Sequence, residues 1–270
     1  MLVNDASFSK KNLETDFELF FQRIKEFADL KHEEIEKLTT REDFRREFLG
    51  DVSHELKTPL FTAQGYLLTL LESSIDDKNI EKKYLERANK SIERLNFIVK
   101  DLDMISKLES GMGLNFESFN IVKLIADVFD LLELKAAKKN ISLKFDKVYD
   151  FPILVEADKE RIEQVLINLI SNSINYGKNN GETIVSVLSF SYSQFVVNIA
   201  DNGIGIPDGE ISRLFERFFR VDKSRSREHG GSGLGLAIVK HIIEAHDQQV
   251  FVKSNINDGS TFSFTLHKVL

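Results

Sequence analysis

The chain of 270 residues contains no cysteine and no tryptophan, and only three prolines. Without cysteine there is no disulfide scaffold, no thiol nucleophile and no thiolate zinc site. Basic residues are the minority, 36 Lys and Arg against 43 Asp and Glu, for a formal net charge of −7. Phosphate backbones demand the opposite balance, so no nucleic-acid partner is expected. No apolar run reaches the ~18 residues that a spanning helix needs. The N-terminal "MLVNDASFSKKNLETDFELF" lacks the central apolar segment of a signal peptide. No direct membrane insertion is therefore expected of this chain, which as given suits the cytoplasm. Transmembrane segments ahead of Met1 would make it the inner part of a longer membrane protein.

What is present has two textures. Phe17, Phe20, Phe21, Ile24, Phe27, Leu30, Ile35 and Leu38 follow a helical seam. The pattern continues through Phe44, Phe48, Val52, Leu56 and Leu60 to about Leu71, and the polar "ESSIDDKN" (72–79) breaks it. Leu85, Ala88, Ile92, Leu95, Val99 and Leu102 mark a second helix that ends at "ESGMG" (109–113). One helical hairpin has too few partners for both apolar faces, whereas two copies make a four-helix bundle, so a homodimer is expected. After Gly113, β-branched and aromatic runs at 141–148, 183–190, 194–201, 249–255 and 260–266 read as strands. Helical patterns at about 120–139, 158–176 and 233–245 lie between them. Mixing without strict alternation favours an α+β two-layer sandwich with helices on one face of a mostly antiparallel sheet. The expected domains are 1–40, an N-terminal helix or linker; 41–112, an all-α dimerisation hairpin; and 113–270, the α+β domain.

Four segments of the second half suggest chemistry. "DNGIGIP" (201–207) closes an apolar strand with two glycines, either as a plain turn or as a close approach to a ligand beside Asp201. "HGGSGLGLAIVKHI" (229–242) leads a glycine-rich loop into a helix N-terminus, which suits a polyphosphate; it is neither a Walker loop nor a dinucleotide fingerprint. Asn168 and Asn172 share a helix face, as a solvated stripe or as ligands of a magnesium ion bridging phosphates. "RLFERFFRVDKSRSREHGGSG" (213–233) reads as a surface loop or as a lid with Arg220 or Lys223 as a phosphate clamp.

Taken in order, these segments carry a resemblance. Residues 41–270 resemble the catalytic core of bacterial two-component sensor histidine kinases. "FLGDVSHELKTPL" resembles the phosphoacceptor box, "NLISNSINY" the asparagine box and "DNGIGIP" the first glycine box. "FERFFRVD" resembles the phenylalanine box, and "GGSGLGLAIVK" and "DGSTFSF" the later glycine boxes. The second domain is thus similar to the Bergerat-type ATPase fold shared with gyrase B. The resemblance implies ATP and Mg2+, with Asn172 and Asn168 at the metal. Asp201 would receive the adenine amino group in a pocket shaped by Gly203 and Gly205, with Tyr176 along the nucleotide and Thr261 near the base. Gly231, Gly233 and Gly235, with Leu234 and Leu236 between and beyond them, would line the phosphates. The pattern departs at Asn175, where a lysine is common, and at "AHDQQV" (245–250), where a glycine pair is usual.

The other histidines have no special context, but His54 is followed by Glu55 and, one turn on, by Thr58; a zinc protease would need histidine at 58. By resemblance, His54 takes the γ-phosphoryl group of ATP, Glu55 acts as base, and a response-regulator aspartate receives the phosphoryl group. Thr58 would orient a water for the reverse, phosphatase, reaction. Pro59 removes a helical hydrogen bond next to this histidine and reads as a hinge.

Overall fold

The computed structural model describes residues 5–72, 77–109, 113–221 and 232–269. It contains two compact units, Met1–His54 and Glu55–Leu270. The first is helical, the major part of α1 (Asp5–Glu72). Its apolar seam stands exposed at Ile24, Phe27, Leu30, Ile35 and Leu38, a stripe that a lone helix has nothing to cover with.

In the second unit, the end of α1 and α2 (Lys78–Glu109) form the expected hairpin. Glu55 meets Arg94, and Tyr66 meets both Arg87 and Tyr84, an antiparallel register. α1 stays helical through Pro59, which is buried, although the Glu55 carbonyl loses its backbone donor there. Buried side chains on the hairpin are few, Ala63, Ala88, Ile98 and Ile105 among them, while Leu60, Phe61, Leu71, Leu85 and Phe97 lie open.

The rest is the two-layer α+β sandwich. The strands are β1 (Phe116–Asn120), β2 (Ser142–Phe145), β3 (Leu154–Asp158), β4 (Glu182–Ser189), β5 (Gln194–Asp201), β6 (Val250–Asn255) and β7 (Gly259–Lys268). They lie in the order β1-β3-β7-β5-β4-β2, with β6 also paired to β7; the β2–β4 pair alone is parallel among these pairings. Period-two alternation turns Val185, Val187, Val197, Ile199, Phe262, Phe264 and Leu266 inward. Among the described residues, three helices cover that face: α3 (Ile121–Ala137), α4 (Lys159–Tyr176) and, after the four-residue α5 (Asp208–Ile211), α6 (Gly235–Ala245). α4 buries Ile162, Val165, Leu166, Leu169 and Ile170, which leaves its other face free for a site. Asn120 and Asp158 cap α3 and α4 by accepting from Val122 N–H and Arg161 N–H.

β1 and β3 were not among the expected strands. "LVEAD" does alternate in burial, but Ala, Glu and Asp are poor strand formers, and β1 exposes three of its five residues. The turn after α6 holds without its glycine pair because Asp247 takes the left-handed conformation at φ 54°.

His246, which has no special context in the sequence, is buried at the end of α6. Its Nε2 accepts the Asp158 N–H at 3.0 Å, its Nδ1 lies 2.7 Å from the Ile242 carbonyl, and the Phe116 ring packs edge-on. Burial pushes its pKa down, and the Arg161 charge adds to that; the Ile242 carbonyl and the Asp158 carboxylate act the other way. A neutral ring with one donor and one acceptor nitrogen fits both partners; a protonated ring cannot accept from Asp158. Because the folded pKa lies below the unfolded one, this stabilisation is complete above the unfolded pKa of ~6.5 and is lost as pH falls through the folded value. Thermal melts between about pH 7.5 and 5 are expected to show the wild type losing more stability than His246→Gln. Equal pH slopes would contradict this role.

Candidate functional site

The outward face of α4 repeats Asn168, Ser171, Asn172 and Asn175 at helical spacings of three and four, and all four line a cavity of about 460 Å³. Tyr176 ends the row. Gly233, Gly235 and Leu236 face it from the start of α6, and Phe219 and Arg220 from the segment before. α2 forms a further wall with Lys90, Glu93, Arg94, Phe97 and Asp101. The expected asparagine box, second glycine box and lid cation therefore meet at one cavity. Lys223 and Gly231 lie outside the described residues.

The Asn168 amide nitrogen is buried and has no hydrogen-bond partner. A methyl group on Gly235 would lie 3.4 Å from the Asn168 oxygen, an ordinary contact distance, so the start of α6 stands directly beside Asn168. An unmatched N–H donor beside uncharged amide oxygens fits phosphate oxygens and a hard cation such as magnesium.

The glycine loop is held from both sides. Gly233 has φ +79°, and a side chain there would come within 2.8 Å of the Phe218 backbone. Phe218 itself is left-handed at φ 60°, and its N–H donates to the Gly233 carbonyl. Ser232 Oγ accepts the Leu234 N–H at 3.1 Å and donates to Asp101 of α2 at 2.6 Å. Burial raises the Asp101 pKa, and the Ser232 hydrogen bond partly offsets this. Leu234 is fully buried as the residue that caps α6.

A second cluster lies at the end of β5. Asp201 accepts the Gly203 N–H at 2.8 Å, and burial raises its pKa against that bond and one from the Ser260 backbone. Side chains at Gly203 and Gly205 are excluded by the Tyr176 carbonyl and the Asn255 carbonyl, 2.6 and 1.9 Å from where a Cβ would lie. Ser260 pairs with Asp201 across the sheet, whereas Thr261 pairs with Ala200. Successive side chains point to opposite faces, so Ser260, not Thr261, shares the Asp201 face.

On the hairpin, Arg94 Nη2 donates to the Glu55 carboxylate at 2.9 Å, both groups largely buried, and the Arg94 Nε is buried without a partner. Arg220 stands close by. Burial lowers its pKa, Tyr176 and Glu55 support its charge, and Arg94 opposes it. His54 is exposed on α1 in the first unit; Thr58 is exposed in the second, its carbonyl accepting the Thr62 hydroxyl. Arg94, Asp101, Ser232, Lys135 and Ser260 were not singled out by the sequence patterns.

Residues 44–111 match the His Kinase A (phospho-acceptor) domain, and residues 157–270 match the histidine kinase-, DNA gyrase B-, and HSP90-like ATPase family. The sensor histidine kinase WalK of Bacillus subtilis (strain 168) is 37% identical over 225 residues, 82% of this chain and 36% of that protein. A Staphylococcus aureus sensor protein kinase WalK is 35% identical over 228 residues, covering 53% of its length. The chain thus spans a minor part of the first of these relatives. Among solved structures, Acinetobacter baumannii histidine kinase AdeS aligns with a TM-score of 0.64 at 27% identity, over 80% of this chain and 98% of that one. Histidine kinase ThkA in complex with response regulator protein TrrA aligns with a TM-score of 0.69 at 30% identity, over 88% of this chain and 66% of that one.

Proposed function

As the chain belongs to the sensor histidine kinases, we propose that it uses ATP to phosphorylate its own His54 and passes the phosphoryl group to an aspartate of a response regulator. The meeting of the α4 amide row, the glycine loop and the hairpin residue Arg94 at one cavity supports this. The base of ATP lies against Asp201 and Ser260, whose neighbouring glycines leave no side chain in the way. The polyphosphate runs over the start of α6 towards Asn168 and Asn172. Asn172 and Asn168 would hold magnesium through their amide oxygens, and the ion would supply positive charge that offsets the phosphates. A His54 ring nitrogen forms the new bond to the γ-phosphorus as the bond to ADP breaks, and ADP leaves. Glu55, held in orientation by Arg94, takes the ring proton. Arg220 and Lys223 serve as cations of the lid.

The exposed stripes of the first unit and of the hairpin are covered in a homodimer, with 41–112 as the dimerisation domain, 1–40 as a signalling helix and 113–270 as the ATP-binding domain. Among the described residues no helix is long and apolar enough to cross a membrane. The proposed place of action is the cytoplasm; transmembrane segments ahead of Met1 would make the chain the inner part of a membrane sensor.

Incubation with γ-labelled ATP and Mg2+ tests the proposal. The expected product is an acid-labile, base-stable protein label that a response regulator removes. Steady phosphate release with no protein label would instead mark an ATPase. Thr58→Ala, one turn from His54, is expected to keep labelling but to lose most dephosphorylation of the phosphorylated regulator. An unchanged dephosphorylation rate would rule out that role for Thr58.

A further inference from the structure

Among the described residues, four cations line the cavity: Lys90, Arg94, Lys135 and Arg220. Arg94 is committed to Glu55, and Arg220 to Tyr176. Lys135, on α3, reaches across to the hydroxyl of Ser171 on α4. Lys139, four residues on and just past the end of α3, donates to the carbonyls of Ile174 and Asn175 and so finishes the end of α4. Lys135 has no such task. An ammonium has three donors, and Ser171 takes one. No carboxylate pairs with it among the described residues. The two described acids that line the cavity are engaged elsewhere, Glu93 with Asn89 and Asp101 with Ser232. The α4 face beside it, Asn168, Ser171, Asn172 and Asn175, carries no charge of its own.

A half-buried ammonium without a counter-ion is costly to desolvate, and an incoming anion offsets that cost. Given the ATP binding proposed above, we propose that Lys135 is a phosphate-binding residue of this site, donating to the outer phosphates of the nucleotide over the α4 amide row. It supplies the charge that Asn175, one turn beyond Ser171, does not.

The test measures binding of ATP, ADP and adenosine to the full chain in Mg2+ by calorimetry. Lys135→Gln is expected to weaken ATP about tenfold, ADP less, and to leave adenosine within about twofold. Lys135→Arg should recover most of the ATP affinity. So should the double variant Lys135→Gln/Asn175→Lys, which puts a lysine on the same face. Unchanged ATP affinity in Lys135→Gln overturns the assignment, and so do equal losses for ATP and adenosine, which would make Lys135 a brace between α3 and α4. A wild-type chain that binds none of the three overturns nucleotide binding itself, and this assignment with it.

Discussion

His54→Gln is expected to take up no phosphoryl label from ATP while binding ATP as tightly as the wild type. The histidine is exposed on α1, so glutamine disturbs no core packing. The residues assigned to nucleotide binding all lie in the second unit, so the affinity should not move. In the proposed role the substitution removes the nucleophile and with it all transfer; a fall in labelling of at least ~1,000-fold is expected. Asn172→Ala provides the contrast, because it removes an amide from the cavity wall and should weaken Mg·ATP binding and labelling together. Residual label on His54→Gln with the same acid lability would place the acceptor on another histidine. A joint loss of binding and labelling would mean that His54 supports the site rather than reacting in it.

The second large effect is on folding. Gly259→Ala is expected to destabilise the second unit by ~3 kcal/mol or more and to lower its melting temperature by ~6–12 °C. Gly259 opens β7 at φ +114°, outside the range of a residue with a side chain. A Cβ there would lie 2.0 Å from the Asp201 carbonyl oxygen and 2.9 Å from the Asn202 Cα. Both are backbone atoms, so no rotamer change relieves the contact. The strands must part where Asp201 pairs with Ser260, and adenosine binding should fall with stability. Gly209→Ala is the control: nothing lies within 4 Å of its Cβ position, and its melting temperature should stay near that of the wild type. Matching melts for the two variants would mean that the turn adapts.

The helices and the central strands were legible because burial there follows a period. β5 falls at 194–201 as its alternation predicts, and α4 starts and ends within a residue of its pattern. The site was legible where it consists of local motifs: the α4 amide row and the glycine loop do line one cavity. What escaped depends on contacts between distant segments. Asp101 and Ser232 are 131 positions apart, Arg94 and Glu55 39, and Lys135 and Ser171 36. No spacing rule links such pairs. His246 looked like any helix-face histidine because its partner is a backbone N–H on β3. Ser260 and Thr261 are adjacent small hydroxyl residues, and only the pairing register tells which of them faces Asp201.

The Ser232 hydroxyl touches two things at once, the Asp101 carboxylate of α2 and the backbone N–H that begins α6. Thermodynamic linkage then works in both directions across this one oxygen. If a nucleotide draws the loop into a shape that loosens Asp101, then any motion of α2 that loosens Asp101 must tighten the nucleotide by the same factor. The position of α2 and the occupancy of the nucleotide site would thus read each other, and ATP concentration alone would bias where α2 stands.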